Sequence, residues 1–169
     1  RVNLGTNEPI FNINLTAGLK NVFGSDYEYY KINANLSHKI PLGAFGYFKY
    51  IIDAGQVFGS VPYPLLKLHE GNETYAFDRY AFNMMNYYEF ASDRYASLYT
   101  EYHLQGLFLN KIPLMRKLKW REVVSAKGLI GDLSDRHLSV MNYPEGLYKV
   151  NHPYVEASIG IENILKIFR

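Results

Sequence analysis

Three residues of the stretch 95–109 have the side-chain types of a hydrolase site: Ser97, Glu101 and His103. A serine hydroxyl becomes a nucleophile when a histidine accepts its proton and a third group orients that histidine. In a strand, however, alternate side chains share one face whatever their chemistry. We therefore expect no catalytic site, and an acyl-ester hydrolase embedded in the fold remains the alternative.

The remaining candidate ligands are scattered. His69, His137 and His152 lie in predicted loops without the spacing of a metal site. The sequence has no cysteine, which excludes disulfides, thiolate zinc sites and cysteine nucleophiles within it. We expect neither a metal nor a cofactor.

Charged residues predict local pairs and a solvated turn. The dipeptides Asp93-Arg94 and Asp135-Arg136 each place opposite charges side by side, so local ion pairs in loops are expected. A basic cluster at 116–119 follows a predicted strand; we interpret it as a turn near lipid head groups, with a specific anionic ligand as the alternative. The net charge of +2 gives no basic stripe for nucleic acid, and no nucleic-acid partner is expected.

The elements that position these residues are strands, because apolar and polar side chains alternate along six stretches. In 154–162, four apolar residues fall on one face and four polar residues or glycine on the other. The apolar set is Val155, Ala157, Ile159 and Ile161, and the other set is Glu156, Ser158, Gly160 and Glu162. Alternation of this kind predicts strands with one apolar and one polar surface.

The six predicted spans are 10–19, 29–40, 47–58, 95–109, 120–131 and 154–164. Each has about the 9–11 residues, or slightly more, that a tilted strand needs to cross a bilayer. The connections at 5–9, 41–46 and 110–119 are short and fall on one side. The connections at 21–28, 59–94 and 132–153 fall on the other side, and the last two are long. Outer-membrane barrels combine short periplasmic turns with long outer loops. We interpret 75–90 as loop, with a further strand as the alternative.

The fold class predicted is all-β, an antiparallel transmembrane β-barrel of which 1–169 is one partial domain of about six spans. Tyr, Phe and Trp make up 16% of the chain, and Tyr and Trp settle at membrane–water boundaries. The predicted lumen-facing residues are Lys49, Asp53, Glu101, His103, Arg121, Lys127, Glu156 and Glu162. A Tyr-rich outer loop is the predicted docking or plugging element, with Tyr63, Tyr75, Phe77, Tyr80, Phe82, Tyr87 and Tyr88 as its candidate interaction residues.

Alternation by itself does not distinguish a face that meets lipid from one that packs a soluble core. A soluble antiparallel sandwich also alternates, with its apolar face inward. Strands longer than the usual globular five or six residues favour the membrane interpretation. A soluble β-domain that binds a lipid or a protein partner remains the alternative.

Several long motifs resemble one known family. They include DAGQVFGSVPYPLL at 53–66, EGNETY at 70–75, FASDRYAS at 90–97, NKIPL at 110–114, LKWREV at 118–123, PYVE at 153–156 and GIENI at 160–164. They resemble the C-terminal domain of a Bacteroidota outer-membrane family of uncharacterised function. Its members look like an N-terminal carboxypeptidase-regulatory-like domain followed by a barrel distantly similar to surface-antigen and outer-membrane assembly barrels.

That resemblance implies an outer-membrane location in a Gram-negative cell and a role in transport, membrane assembly or display of partner proteins. The implied partners are outer-membrane lipid and other outer-membrane proteins or lipoproteins. The family brings no catalytic residues to carry over. Because the chain begins at Arg1 without an initiator methionine, we expect it to be an internal fragment of a longer polypeptide, with a processed mature terminus as the alternative.

Overall fold

A computed structural model describes residues 7–22, 24–72, 78 and 80–164. Within them the chain forms nine strands and one short α-helix. In chain order these are β1 (Ile10–Gly18), β2 (Tyr29–Pro41), β3 (Tyr47–Phe58), β4 (Lys67–Leu68), β5 (Phe90–Ser92), β6 (Arg94–His103), α1 (Pro113–Leu118), β7 (Arg121–Asp132), β8 (Tyr148–Lys149) and β9 (Tyr154–Glu162). No helix among the described residues is long and apolar enough to span a bilayer.

The long strands form one antiparallel sheet in the order β1-β2-β3-β6-β7-β9. Each long strand pairs with the next one along the chain, so the sheet is a meander. The short strands β4, β5 and β8 form a second, three-stranded sheet. The predicted all-β antiparallel class is confirmed. Within the described residues the large sheet is open, with β1 and β9 at its edges.

Five of the six predicted spans match the observed strands within two residues at each end. The fourth is wrong at its C-terminal end, because β6 stops at His103 and not at 109. Gln105 and Gly106 both adopt positive φ, which turns the chain out of the extended conformation. The residues 104–109 therefore leave the sheet, although Leu104 and Phe108 occupy positions that continue the apolar set of the strand.

This earlier end lengthens one connection. The link between β6 and β7 runs from 104 to 120 and contains α1, so the prediction of a short turn at 110–119 is wrong in extent. The opposite end of the sheet carries the connections 19–28, 59–93 and 133–153. The two ends still differ, but less sharply than the sequence predicts. We call them the short-connection end and the long-connection end.

Burial on the two faces of the large sheet is the reverse of that in a water-soluble sheet. The apolar face of the large sheet is exposed on every strand, as shown by Phe11, Ile32, Ile52, Leu98, Ile130 and Ile159. The polar face is covered where Asp53, Ser97, Lys127 and Glu156 lie, since each is no more than 7% exposed, and it is open along β1. In a water-soluble sheet the apolar face is normally the covered one.

The covering layer consists of the described parts of 61–92 together with 133–150, which we call the cap. Two apolar clusters lie between the cap and the polar face of the sheet. In the first, Phe82 and Met85 of the cap pack against Tyr99 and Leu129 of the sheet. In the second, Val61, Leu66 and Leu133 surround Val57 at the long-connection end. The core of this chain therefore lies on the polar side of its main sheet.

Candidate functional site

All eight predicted lumen-facing residues lie on the polar face of the sheet, where four are buried and Arg121 is exposed. The strand register places three of their pairs directly opposite one another with opposite charge: Lys49 and Glu101, Lys127 and Glu156, and Arg121 and Glu162. Opposite charges in directly opposed cross-strand positions stabilise a sheet. The alternation of the sequence predicts the shared face, whereas the pairing follows only from the register.

The Lys127–Glu156 pair joins the cap to the sheet. The ammonium of Lys127 lies 3.6 Å from the Glu156 carboxylate and donates a hydrogen bond to the Ala81 carbonyl oxygen. The two carboxylate oxygens of Glu156 accept the backbone N–H groups of Asn83 and Met84 at 2.9 and 3.0 Å. Both charged side chains are more than 90% buried. Buried charges require partners of this kind, so the pair acts as an electrostatic latch on residues 81–84.

Phe82 lies at the centre of this latch. Its ring centroid is 5.2 Å from that of Tyr99 and 5.4 Å from that of Tyr154, and the residue is fully buried. Tyr80 packs edge-on against Tyr99 on the same side. The aromatic residues of the cap thus fill the space over the polar face.

The predicted interaction residues therefore divide into separate groups. Phe82 is buried in the core, so it is not available to dock a partner, and Tyr63 and Tyr80 are half-buried. Tyr87 and Tyr88 are each 47% exposed, with their rings 3.8 Å apart. Tyr75 and Phe77 lie outside the described residues. Of the described residues in this set, only Tyr87 and Tyr88 are exposed.

A network of polar side chains surrounds the buried Asp53 on the polar face, between the sheet and the cap. The carboxylate accepts hydrogen bonds from Asn33 at 3.0 Å, Asn35 at 3.4 Å and the Tyr95 hydroxyl at 3.0 Å. Gly55 makes room for the Tyr95 ring, since a Cβ there would collide with it. A cavity of about 540 Å³ adjoins this network and is lined further by Asn12, Asn14, Lys31, Gln56, Lys67 and Glu70.

His103 is held between two carboxylates at the short-connection end. Its Nδ1 lies 3.1 Å from Glu162 and its Nε2 lies 3.3 Å from Glu101, while its ring stacks on Tyr47 at 4.3 Å. Ser97 lies six residues away on the same strand, which is about 20 Å at the rise of an extended chain. The structure therefore does not bring the Ser97 hydroxyl to the His103 imidazole.

A second ionic cluster, which sequence reasoning missed, joins the 133–150 part of the cap to Asp93 and Val61. Asp93 accepts hydrogen bonds from the hydroxyl of Ser134 at 2.6 Å, from Arg136 at 3.0 Å and from Nε2 of His137 at 3.2 Å. Burial raises the pKa of the Asp93 carboxyl, but the hydrogen bonds and the Arg136 charge outweigh it and hold the pKa below its usual value. The other nitrogen of His137 accepts the N–H of Val61.

The predicted local ion pairs are wrong. Arg136 pairs with Asp93 and not with its neighbour in the sequence, and Arg94 pairs with Asp132 across the sheet at 2.9 Å. Arg94 begins β6 in register with Asp132, whereas Asp93 lies in the bend between β5 and β6. Nothing in the sequence indicates a pairing between positions 93 and 136.

His69 is a buried, neutral member of the cap. Its Nε2 lies 3.0 Å from the Ser92 hydroxyl, and its Nδ1 has no hydrogen-bond partner among the described residues. Burial and the charge of Lys67 lower the pKa of His69 to about 3. Among the residues that the structure describes, no group of three or more His, Asp or Glu side chains can hold a metal ion.

Comparison with known protein families identifies the chain. Residues 1–141 match the C-terminal domain of a family of unknown function, DUF5686. The chain belongs to this family. No protein with a curated description matches the sequence, and no solved structure matches it.

Proposed function

We propose that this chain forms part of the wall of an outer-membrane β-barrel whose lumen is plugged by the cap. The proposal rests on the exposure of the apolar face of the large sheet and the burial of residues on its polar face. Large apolar side chains cover the outward face of all six long strands, and Leu15, Val155 and Ile159 are each more than 70% exposed. Monomeric soluble proteins rarely expose a continuous apolar surface of this extent, whereas a bilayer covers it.

The open edges support the same proposal. The outer sides of β1 and β9 have no strand partner among the described residues. A sheet in lipid must close, because unpaired backbone groups have no water to bond with there. Further strands of a longer polypeptide would close the wall. Following the family resemblance, we further propose that the protein is from Bacteroidota and carries an N-terminal carboxypeptidase-regulatory-like domain.

The cap limits what such a barrel can do. It is latched to the wall through the Lys127–Glu156 pair, and Phe82 and Met85 fill the space beneath it. A lumen occupied in this way suits gated transport, membrane assembly or display of a partner better than open diffusion. We assign the chain no catalytic role and no nucleic-acid partner.

The first experiment locates the full-length protein. We expect it to stay in the membrane pellet after carbonate washing, to leave only with detergent, and to migrate on a gel in a heat-dependent way. Release by carbonate would mean that a protein partner or a second domain covers the apolar face, and would favour the soluble β-domain.

The second experiment determines what the apolar face contacts. These 169 residues contain no cysteine, so a cysteine placed at Leu15 or at its neighbour Asn14 is unique within them. The two residues are exposed, on opposite faces of β1. In intact membranes we expect a water-soluble maleimide to label Asn14→Cys but not Leu15→Cys. Both should react after denaturation. Labelling of Leu15→Cys before denaturation would contradict the barrel.

A further inference from the structure

The connection between β6 and β7 exposes large apolar side chains at the short-connection end of the sheet. Phe108, Ile112, Leu114 and Leu118 are between 43% and 62% exposed. Leu114 and Leu118 are four residues apart in α1, so they lie on the same side of that helix. We call residues 108–119 the basic connection.

The same residues carry a concentrated positive charge. Lys111, Arg116, Lys117 and Lys119 are all exposed, and the sequence has no acidic residue between 108 and 121. None of the four forms an ion pair with another described residue. The ammonium of Lys111 lies 5.8 Å from the centroid of the Phe108 ring, so cation and apolar surface are in contact.

The basic connection is held in a defined position. The Glu122 carboxylate of β7 accepts the backbone N–H groups of Phe108 and Leu109. Pro113 begins α1, and Lys119, in the left-handed conformation, ends it. Asn163 donates a hydrogen bond to the Lys119 carbonyl oxygen and fastens the far end.

The exposed apolar residues of the basic connection extend the apolar face of the sheet. Val124 of β7 is exposed just beyond the connection, and Leu42 and Phe45 are exposed in the neighbouring β2–β3 turn. Apolar side chains with unpaired cations beside them, at the end of a lipid-facing surface, match the boundary between acyl chains and head groups. Lysine and arginine place their apolar stems along such a boundary and their charges in the head-group layer.

We propose that the basic connection binds anionic phospholipid head groups in the membrane leaflet at the short-connection end. This inference rests on the proposed barrel. The cations contact the phosphates, and Phe108, Ile112, Leu114 and Leu118 enter the acyl-chain boundary. A purely aqueous anion would use the cations alone and leave these four apolar side chains in water.

The test compares phospholipid binding by two variants of the full-length protein in detergent. Arg116→Gln with Lys117→Gln removes two cations from the basic connection. The matched control, Lys20→Gln with Lys149→Gln, removes two exposed cations elsewhere. Native mass spectrometry counts bound phosphatidylglycerol and phosphatidylcholine after delipidation and titration. We expect the parent to prefer phosphatidylglycerol, and the first variant to lose roughly fivefold in that preference per cation removed.

The outcomes separate the inference from the proposed function. The control variant should keep the parental preference, and raised salt should reduce the preference of the parent because charges at a surface are screened. A parent that resists carbonate extraction but binds both lipids equally would overturn the head-group site and leave the barrel standing. Equal losses in the two variants would overturn it as well. A parent found in the aqueous fraction would remove the barrel, and the inference with it.

Discussion

At the scale of single residues, the Lys127–Glu156 latch makes the strongest energetic prediction. Both charges are buried, and the Glu156 carboxylate bonds two backbone N–H groups of the cap. Glu156→Gln keeps an acceptor oxygen but leaves the Lys127 charge uncompensated. Removing one partner of a buried pair costs about 3–5 kcal/mol. We expect a loss of this size in the free energy of unfolding, measured by urea titration of the reconstituted full-length protein.

The control for this prediction is an ion pair of the same sheet that water reaches. Arg94 and Asp132 lie 2.9 Å apart, but both side chains are more than half exposed. Exposed pairs contribute about 0–1 kcal/mol. Asp132→Asn should therefore change the free energy of unfolding little. Equal losses in the free energy of unfolding for Glu156→Gln and Asp132→Asn would show that burial does not increase the contribution of the Lys127–Glu156 pair.

His69 makes the stability of the cap depend on pH. Burial lowers its pKa to about 3, well below the value of about 6.5 in an unfolded chain. Between those two values the unfolded state binds a proton that the folded state does not, so stability is present above about pH 6.5 and falls as the pH drops towards 3. Proteolysis of the cap should accelerate over this range.

Two histidine substitutions test whether His69 causes the pH dependence of cap stability. His69→Gln preserves a group that can bond the Ser92 hydroxyl but cannot take up the proton, so the rate of cap proteolysis should vary less between pH 6.5 and 3. His152 is exposed, and His152→Gln should leave the pH profile of the parent unchanged. A parental profile in the His69 variant would assign the pH dependence to other groups, such as the Asp93 cluster.

At the scale of elements, the β2–β3 turn depends on one glycine. Gly46 has φ +93°, and a Cβ there would collide with the His103 carbonyl oxygen of β6. Gly46→Ala therefore adds a backbone clash to the strain of a positive φ. We expect a loss of about 1–3 kcal/mol in the free energy of unfolding, the usual range for a strained backbone position.

Gly43, in the same turn, provides a matched control. It also has positive φ, at +59°, but an added Cβ would meet no atom within 4 Å. Gly43→Ala should show the cost of the positive φ alone, about 1 kcal/mol. If both variants lose the same stability, the close approach of His103 to the turn does not matter.

At the scale of the whole molecule, the decisive property is which solvent meets each face of the large sheet. Ile13 and Asn12 are neighbours in the middle of β1, both are exposed, and they lie on opposite faces. Arginine on the lipid side of a barrel costs about 2–4 kcal/mol near the bilayer centre. Ile13→Arg should reduce assembly into membranes, measured as the heat-modifiable fraction, whereas Asn12→Arg should assemble normally.

The large sheet shows which strands and which side-chain faces can be predicted from the sequence. Alternation is a local property, because successive side chains of any strand point to opposite faces, and it predicts five of the six strands closely. It fails at 104–109. Leu104 and Phe108 continue the apolar set of the strand, but Gln105 and Gly106 have turned the chain. The same local rule also places the eight predicted charged or polar residues on one face of the sheet.

The sequence by itself therefore determined the strands, their two-faced character and the family of the chain. The tertiary structure decided which face is covered, because that depends on where the connections 59–93 and 133–153 fold back. It also decided the partners of the charged side chains. Glu156 accepts hydrogen bonds from the backbone of residues 83 and 84, and Asp93 accepts one from Arg136. Such contacts join positions far apart in the chain, so they depend on register and loop path, neither of which local alternation encodes.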